Sequence, residues 1–238
     1  MEHQTNNRGA RESILQSIRA NLAASVSHDA IEHEIHHTTA PTSKAISVPA
    51  LDLSLTELFK ASLEAVDGHC VVVRSESEVV AALAEIIRRL QGTKLQARRI
   101  AISDAGGIGE LVRGSGVEVE EIAVTPSASD VFRFDVGISR AQVGIAETGT
   151  LLLDSSRERH RLVSLVPPVH IALLNASQIV GTLGEALSLL RQTDQVSPIV
   201  TLVTGPSRTA DIELTLAIGV HGPQELYVIV DEGRPKTQ

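Results

Sequence analysis

Apolar positions follow two patterns in the main part of the chain. Short apolar runs bounded by glycine, proline or polar residues predict buried strands at 69–73, 99–103, 117–124, 169–175, 199–203 and 226–230. Apolar residues spaced three and four apart predict helices near 55–66, 76–90, 110–113, 182–191 and 209–218. Because strands and helices alternate, we expect an α/β fold. Its form would be three-layer α/β/α, with a mainly parallel sheet.

The first 49 residues have a different character. Residues 10–25 carry a narrow apolar stripe that predicts one helix, and the polar segment after it, which contains Pro41 and Pro49, predicts a linker. We therefore divide the chain into a helical extension with a flexible linker, 1–49, and an α/β domain, 50–238. Histidines at 28, 33, 36 and 37 offer a weak metal pattern. A solvated linker explains them better, so no metal site is predicted.

Composition excludes several classes of function. Aromatic residues make up 2% of the chain and its net charge is -8, which argues against binding nucleic acid. One cysteine, Cys70, cannot form an intramolecular disulfide or supply the thiolates of an iron–sulfur cluster. No apolar run has the length of a membrane span or of a leader peptide. We expect a soluble protein of the cytoplasm.

A glutamate in a glycine-bracketed turn is the first candidate for chemistry. Glu147 lies between Gly144 and Gly149, and the segment from Thr148 to Thr150 leads into an apolar run. The pattern predicts a turn between two strands. Little side-chain bulk surrounds the carboxylate, so a ligand would reach it. The alternative is a carboxylate that accepts backbone N–H bonds and rigidifies the turn.

A second candidate follows the predicted strand 199–203. Gly205, Ser207, Arg208 and Thr209 join that strand to the predicted helix 209–218. N–H groups at a helix start attract an anion, and the guanidinium fork matches a carboxylate or phosphate. The alternative is helix capping, with an ion pair from Arg208 to Asp211 or Glu213.

Three weaker candidates remain. His170, at the start of a strand, is a candidate general base, although a hydrogen-bonded structural histidine is the commoner case. The glycine-rich turn 104–109 would cradle a phosphate or simply turn the chain from strand to helix. A basic cluster would recruit an anionic ligand or a partner, or form a solvated loop; it consists of Arg157, Arg159, His160 and Arg161.

Three blocks of sequence carry a family resemblance. They are GIAETGTLLL, RLVSLVPPVHIALLNASQIV and TLVTGPSRTADIELTLAIGVHGPQELYVIVDE, in that order. Together they resemble the lactate-utilization proteins of the LUD-domain family. The resemblance implies a fold like the NagB/RpiA/CoA-transferase superfamily. It also implies a role in the bacterial oxidation of L-lactate to pyruvate, beside partner proteins of which at least one holds iron–sulfur clusters.

Three functional hypotheses follow. In the first, the chain is an accessory subunit of lactate oxidation that binds a small anionic or acyl ligand between the Glu147 turn, the His170 strand and the Ser207–Arg208 helix start. In the second, it is an independent enzyme acting on a CoA thioester or sugar phosphate. The superfamily's CoA transferases use a glutamate nucleophile, and Glu147 is the analogous candidate. In the third, it is a scaffold for iron–sulfur partners. The sequence identifies no cofactor.

Overall fold

The structure is a computed structural model that describes residues 15–20, 53–156, 161–191, 199–210, 216–218 and 222–233. The chain divides into two units, Met1–Leu51 and Asp52–Gln238. In the first unit, residues 15–20 are helical (α1), and the linker with its four histidines lies outside the described residues. None of the described helices has the length and apolar character needed to cross a membrane.

A six-stranded sheet with only parallel neighbours forms the centre of the second unit. Its order is β1-β12-β7-β4-β2-β3. The strands are β1 His69–Val73, β2 Arg99–Ile102, β3 Glu121–Val124, β4 Val136–Arg140, β7 Val169–Asn175 and β12 Glu225–Asp231. The inner strands consist largely of valine, isoleucine and leucine because both of their faces are buried.

Two helices cover the first face of this sheet. They are α3, Glu76–Gln91, and α4, Ile108–Gly114. The α3 helix begins at Ser75, whose hydroxyl accepts a hydrogen bond from the backbone N–H of Glu78. Its buried stripe, which includes Leu83 and Ile87, packs on strand residues such as Ile100. Burial of each such side chain contributes about 2 kcal/mol.

The second face is covered by helix α2, Leu55–Glu64, and by a smaller sheet. That sheet has the order β8-β5-β6-β9, formed by β5 Val143–Ile145, β6 Thr150–Asp154, β8 Ile179–Val180 and β9 Val200–Val203. Side chains alternate along β6: Leu151 and Leu153 pack toward the central sheet. Leu152 packs toward helix α6, Leu183–Arg191. A short helix, α5 Leu162–Leu165, packs on β4 and β7.

The predicted α/β class with a mainly parallel sheet is confirmed. The sequence did not reveal that the layer on the second face holds a small sheet beside a helix. Strands β4 and β5, which are close in sequence, belong to different sheets.

The predicted helix 209–218 is wrong. The chain there forms two antiparallel strands, β10 Arg208–Ala210 and β11 Leu216–Ile218. The physical reason is visible in the sequence, since apolar residues alternate with other residues at 212, 214, 216 and 218, the period of a strand. Four β-branched residues between 209 and 218 also favour extended backbone.

Candidate functional site

A cleft of about 590 Å³ lies at the carboxyl ends of the central strands. Its walls are formed by the loops after β1 and β2 and by the last residues of β4, β7 and β12. Parallel strands bring their carboxyl ends to one edge of the sheet, and ligands of open α/β sheets bind there. We refer to this site as the carboxyl-edge cleft.

Arg140, the last residue of β4, is the main cationic group of the cleft. Its side chain is half-buried, and within the described part of the chain the guanidinium makes no hydrogen bond and no ion pair. Burial lowers the pKa of this guanidinium, and the carboxylate of Asp231 acts in the opposite direction. Arginine nevertheless stays protonated in proteins. The cleft therefore holds a partly desolvated cation whose five N–H donors are free for an anionic ligand.

The glycine-rich turn after β2 forms one wall of the cleft. A Cβ added to Gly106 would meet no atom within 4 Å. Gly107 has a φ of 84° and begins α4. A positive φ of this kind favours glycine. The turn thus leads the chain from strand to helix, which is the second of the two alternatives given for this segment. It also exposes its backbone to the cleft.

Carboxylates complete the lining. Glu76, Glu110 and Asp231 all contribute to the cleft, and the Asp231 Oδ1 accepts a hydrogen bond of 2.7 Å from the backbone N–H of Gly233. A second arginine, Arg74, lies 3.5 Å from a carboxylate oxygen of Glu232. The cleft consequently combines both charges. Within the described ranges, no three or more His, Cys, Asp or Glu side chains are grouped so that they could hold a metal ion.

The Glu147 turn connects β5 to β6, two antiparallel strands, as the sequence predicted. The exposed Glu147 carboxylate accepts a hydrogen bond of 2.9 Å from the backbone N–H of Leu183, at the start of α6. This contact agrees with the alternative in which the carboxylate accepts backbone N–H bonds. A negative charge at this place also stabilises the start of a helix. Gly149 has a φ of 63°, and a Cβ there would lie 2.2 Å from the Leu63 nitrogen. A Cβ on Gly144 would lie 2.7 Å from the side chain of Leu174.

The second predicted group lies next to this turn. The Thr150 hydroxyl is 2.7 Å from the hydroxyls of both Thr148 and Thr204. Gly205 has a φ of 75°, and a Cβ there would lie 2.7 Å from the carbonyl oxygen of Val66. Since Val66 lies between α2 and β1, this group is at the amino end of β1 and away from the carboxyl-edge cleft.

The helix start predicted near Ser207 is wrong, because Arg208–Ala210 form a strand, and anion binding by this segment stays a prediction. The backbone N–H of Ser207 donates to the carbonyl of Pro223 over 2.8 Å. Arg208 forms an ion pair with Asp67. Thr209 lies in β10. Residues 211–215, including the ion-pair partners considered for Arg208, and residues 157–160 of the basic cluster lie outside the described residues.

His170 is fully buried near the amino end of β7. Its Nε2 lies 2.7 Å from the Ser139 hydroxyl on the neighbouring strand β4. Its Nδ1 has no hydrogen-bond partner among the described residues. Burial lowers the pKa of this histidine to about 4, so the ring is neutral at pH 7. This environment is typical of a hydrogen-bonded structural histidine, which was the alternative to a general base.

The glycine-rich turn 104–109 is the predicted candidate that lines the carboxyl-edge cleft, whereas the Glu147 turn, the Ser207–Arg208 segment and His170 lie outside its lining. The Glu147 turn and the Gly205 loop meet through Thr150, and His170 is enclosed in the core. Their role as ligand contacts stays a prediction. Sequence reasoning missed Arg140 and Asp231, although each directly ends an apolar strand. A polar residue at that position is a usable indication in an α/β protein.

Comparison with known proteins defines the family. The LUD domain model matches residues 56–230, which is more than half of the chain. An uncharacterized protein of Neisseria meningitidis serogroup B is 48% identical over 96 residues, 40% of this chain and 41% of that protein. "Lactate utilization protein C" of Bacillus licheniformis is 38% identical over 104 residues, 42% of this chain and 43% of that protein. The chain thus spans less than half the length of these curated relatives.

A solved structure supports the same assignment. The crystal structure of a DUF162 family protein from Deinococcus radiodurans is similar with a TM-score of 0.53 and 25% sequence identity. The similarity covers 75% of this chain and 99% of that one. The parallel sheet, the three sequence blocks and the match over 56–230 lead to one conclusion. The chain belongs to the LUD-domain family.

Proposed function

We propose that this chain is an accessory subunit of bacterial lactate utilization, in the oxidation of L-lactate to pyruvate, and that it binds a small anionic or acyl ligand in the carboxyl-edge cleft. Relatives named lactate utilization protein C support the pathway. The ligand-binding part of the proposal is supported by the geometry of the cleft.

One observation carries the ligand proposal. The Arg140 guanidinium is half-buried and has no hydrogen bond within the described part of the chain, although it faces an open cleft. A cation withdrawn from water without hydrogen bonds destabilises the protein by about 1 to 3 kcal/mol. A bound carboxylate would restore two charge-assisted hydrogen bonds and offset that cost. Lactate, pyruvate and acyl ligands with a carboxylate all supply this group.

We further propose that the electrons of the oxidation are carried by iron–sulfur partner proteins. The chain has one cysteine, and burial raises the pKa of the Cys70 thiol to about 12. A protonated, buried thiol is a poor cluster ligand because the thiolate is the coordinating form. This supports a division of roles in which the present chain binds a ligand and its partners transfer electrons.

Complementation tests the proposal. A bacterium that grows on L-lactate, with its own related gene deleted, would receive this chain or its Arg140→Gln variant. We expect the natural chain to restore growth on L-lactate and the variant to fail, with equal growth of both strains on glucose. Arg98→Gln is the matched control, because Arg98 is exposed, precedes β2 and pairs with Glu120 over 3.0 Å. Full growth of the Arg140→Gln strain at normal protein level would contradict the proposal.

The alternative in which Glu147 is the nucleophile of a CoA transfer stays a prediction. Incubation with acyl-CoA followed by mass spectrometry would detect a covalent adduct on Glu147. An adduct that is absent from Glu147→Gln would establish that enzyme activity, and its absence across a substrate panel would argue for the binding subunit.

A further inference from the structure

Two opposite charges face each other across the carboxyl-edge cleft without pairing. Both Arg140 and Asp231 line the cleft, and the Asp231 carboxylate acts electrostatically on the guanidinium. Within the described residues, however, no ion pair or hydrogen bond joins their side chains. Open space therefore separates the Arg140 guanidinium from the Asp231 carboxylate. A ligand of sufficient length would contact both groups.

Strand register gives the separation of the two residues along the backbone. Arg140 is aligned with Leu173 of β7, and Leu173 is aligned with Ile229 of β12. Arg140 and Ile229 are thus two strands apart, which corresponds to about 10 Å. Asp231 lies two residues further along β12 and faces the same side, which adds about 6.6 Å along the strand. These distances separate the backbones of the two residues, and both side chains contribute to the lining of the cleft between them.

The chemistry of the two ends describes the ligand. Arg140 recognises a carboxylate or phosphate. The Asp231 Oδ1 accepts the hydrogen bond from the backbone N–H of Gly233, which leaves the other carboxylate oxygen as an acceptor for a ligand. Ionised carboxylates accept hydrogen bonds from hydroxyl groups. The further carboxylates of Glu76 and Glu110 would repel a ligand with several phosphates.

We infer that the carboxyl-edge cleft binds an anionic polyol, with its single carboxylate or phosphate on Arg140 and its hydroxyl groups on Asp231. A volume of about 590 Å³ is that of a pocket for a ligand well above the size of lactate. The exposed backbone of Gly106 permits close approach of the polyol chain. This inference rests on the proposed function to the extent that both place an anion on Arg140.

Calorimetric titration of the full chain tests it. The ligands are gluconate, ribose 5-phosphate and AMP, beside L-lactate, inorganic phosphate and ribose as incomplete ligands. We expect at least one anionic polyol to bind one to one and about tenfold more tightly than L-lactate, because it adds a charge-assisted hydrogen bond. Preference for gluconate identifies the carboxylate class, and preference for the phosphate esters identifies the phosphate class.

Variants separate the two ends of the site. Asp231→Asn keeps an oxygen for Gly233, so the turn is retained, and it removes the charge. We expect this variant to lose the tenfold advantage of the polyol while keeping its affinity for L-lactate. Arg140→Gln should weaken both ligands. Arg98→Gln and Asp130→Asn, exposed positions outside the cleft lining, are the matched controls.

The inference is overturned if no anionic polyol binds more tightly than L-lactate, or if Asp231→Asn keeps the advantage. The comparison of polyol with L-lactate needs only the natural chain, so it can be made even if a variant fails to fold. If polyols fail while growth on L-lactate still depends on Arg140, only the inference is wrong. If polyols bind but growth does not depend on Arg140, the proposed function is wrong and the inference stands.

Discussion

Lowering the pH should destabilise the fold through one buried histidine. His170 is fully buried, its Nε2 pairs with the Ser139 hydroxyl, and burial lowers its pKa to about 4. In the unfolded chain the histidine pKa is about 6.5. The unfolded state therefore binds a proton more readily. The stability contributed by the neutral ring is complete above about pH 6.5 and is lost as the pH falls toward the folded-state value.

The expected magnitude follows from these two values. The folded-state pKa of His170 is about 4 and the unfolded-state pKa is about 6.5. At pH 4.5, protonation of His170 in the unfolded chain therefore lowers the free energy of unfolding by about 2.5 kcal/mol. For a domain of this size, that change corresponds to a shift of about 1 M in the midpoint of urea unfolding.

Urea unfolding at pH 7.0 and pH 4.5 measures the effect. The natural chain is compared with His170→Gln, which keeps a hydrogen-bonding partner for Ser139 but does not titrate. Carboxylates contribute equally to both proteins, so the smaller pH-dependent loss expected for the variant isolates the histidine. The control, His69→Gln, removes an exposed histidine and retains the buried one. Equal losses in the natural chain and in His170→Gln would refute the reasoning.

Three further predictions concern stability and reactivity. Gly149→Ala should cost about 3 kcal/mol or more in urea unfolding, because the residue combines a φ of 63° with a Cβ 2.2 Å from backbone, whereas Gly106→Ala, with open space around it, should change little. Glu147→Ala should lower the free energy of unfolding by about 1 kcal/mol by removing the cap of α6; an unchanged urea midpoint would exclude that cap. Cys70 should resist a thiol reagent at pH 8 in the folded chain and react after unfolding, and rapid native labelling would contradict its burial.

The sequence predicts the central sheet well because its strands carry a redundant pattern. Runs such as 171–174 and 226–230 are continuously apolar, as is typical of strands buried on both faces. The alternation of these strands with helices then predicted the α/β class. Helix α3 was equally clear, since Ser75 precedes its apolar stripe and Gly92 follows it.

The failures have a common cause in tertiary context. Residues 209–218 fit a helical pattern and a strand pattern, and only pairing of Thr209 with Ala217 decides between them. The carboxyl-edge cleft was missed for a similar reason. Glu147 attracts attention in the sequence because glycines bracket it, and Arg208 because it follows Gly205 at a predicted helix start. In the structure Glu147 accepts a hydrogen bond from the backbone of Leu183 and Arg208 pairs with Asp67. Arg140 and Asp231 come together only because β4 and β12 are two strands apart in a sheet whose order no local pattern reveals.

The place of β12 in the sheet has a consequence for how the chain is made. β12 lies between β1 and β7, so Val72 pairs with Val230, and β1 has no other neighbour in the central sheet of the described chain. The first strand of the domain must wait until the last strand has been synthesised before it can pair. During translation β1 therefore stays unpaired, and the central sheet is completed only after residues 225–231 have left the ribosome.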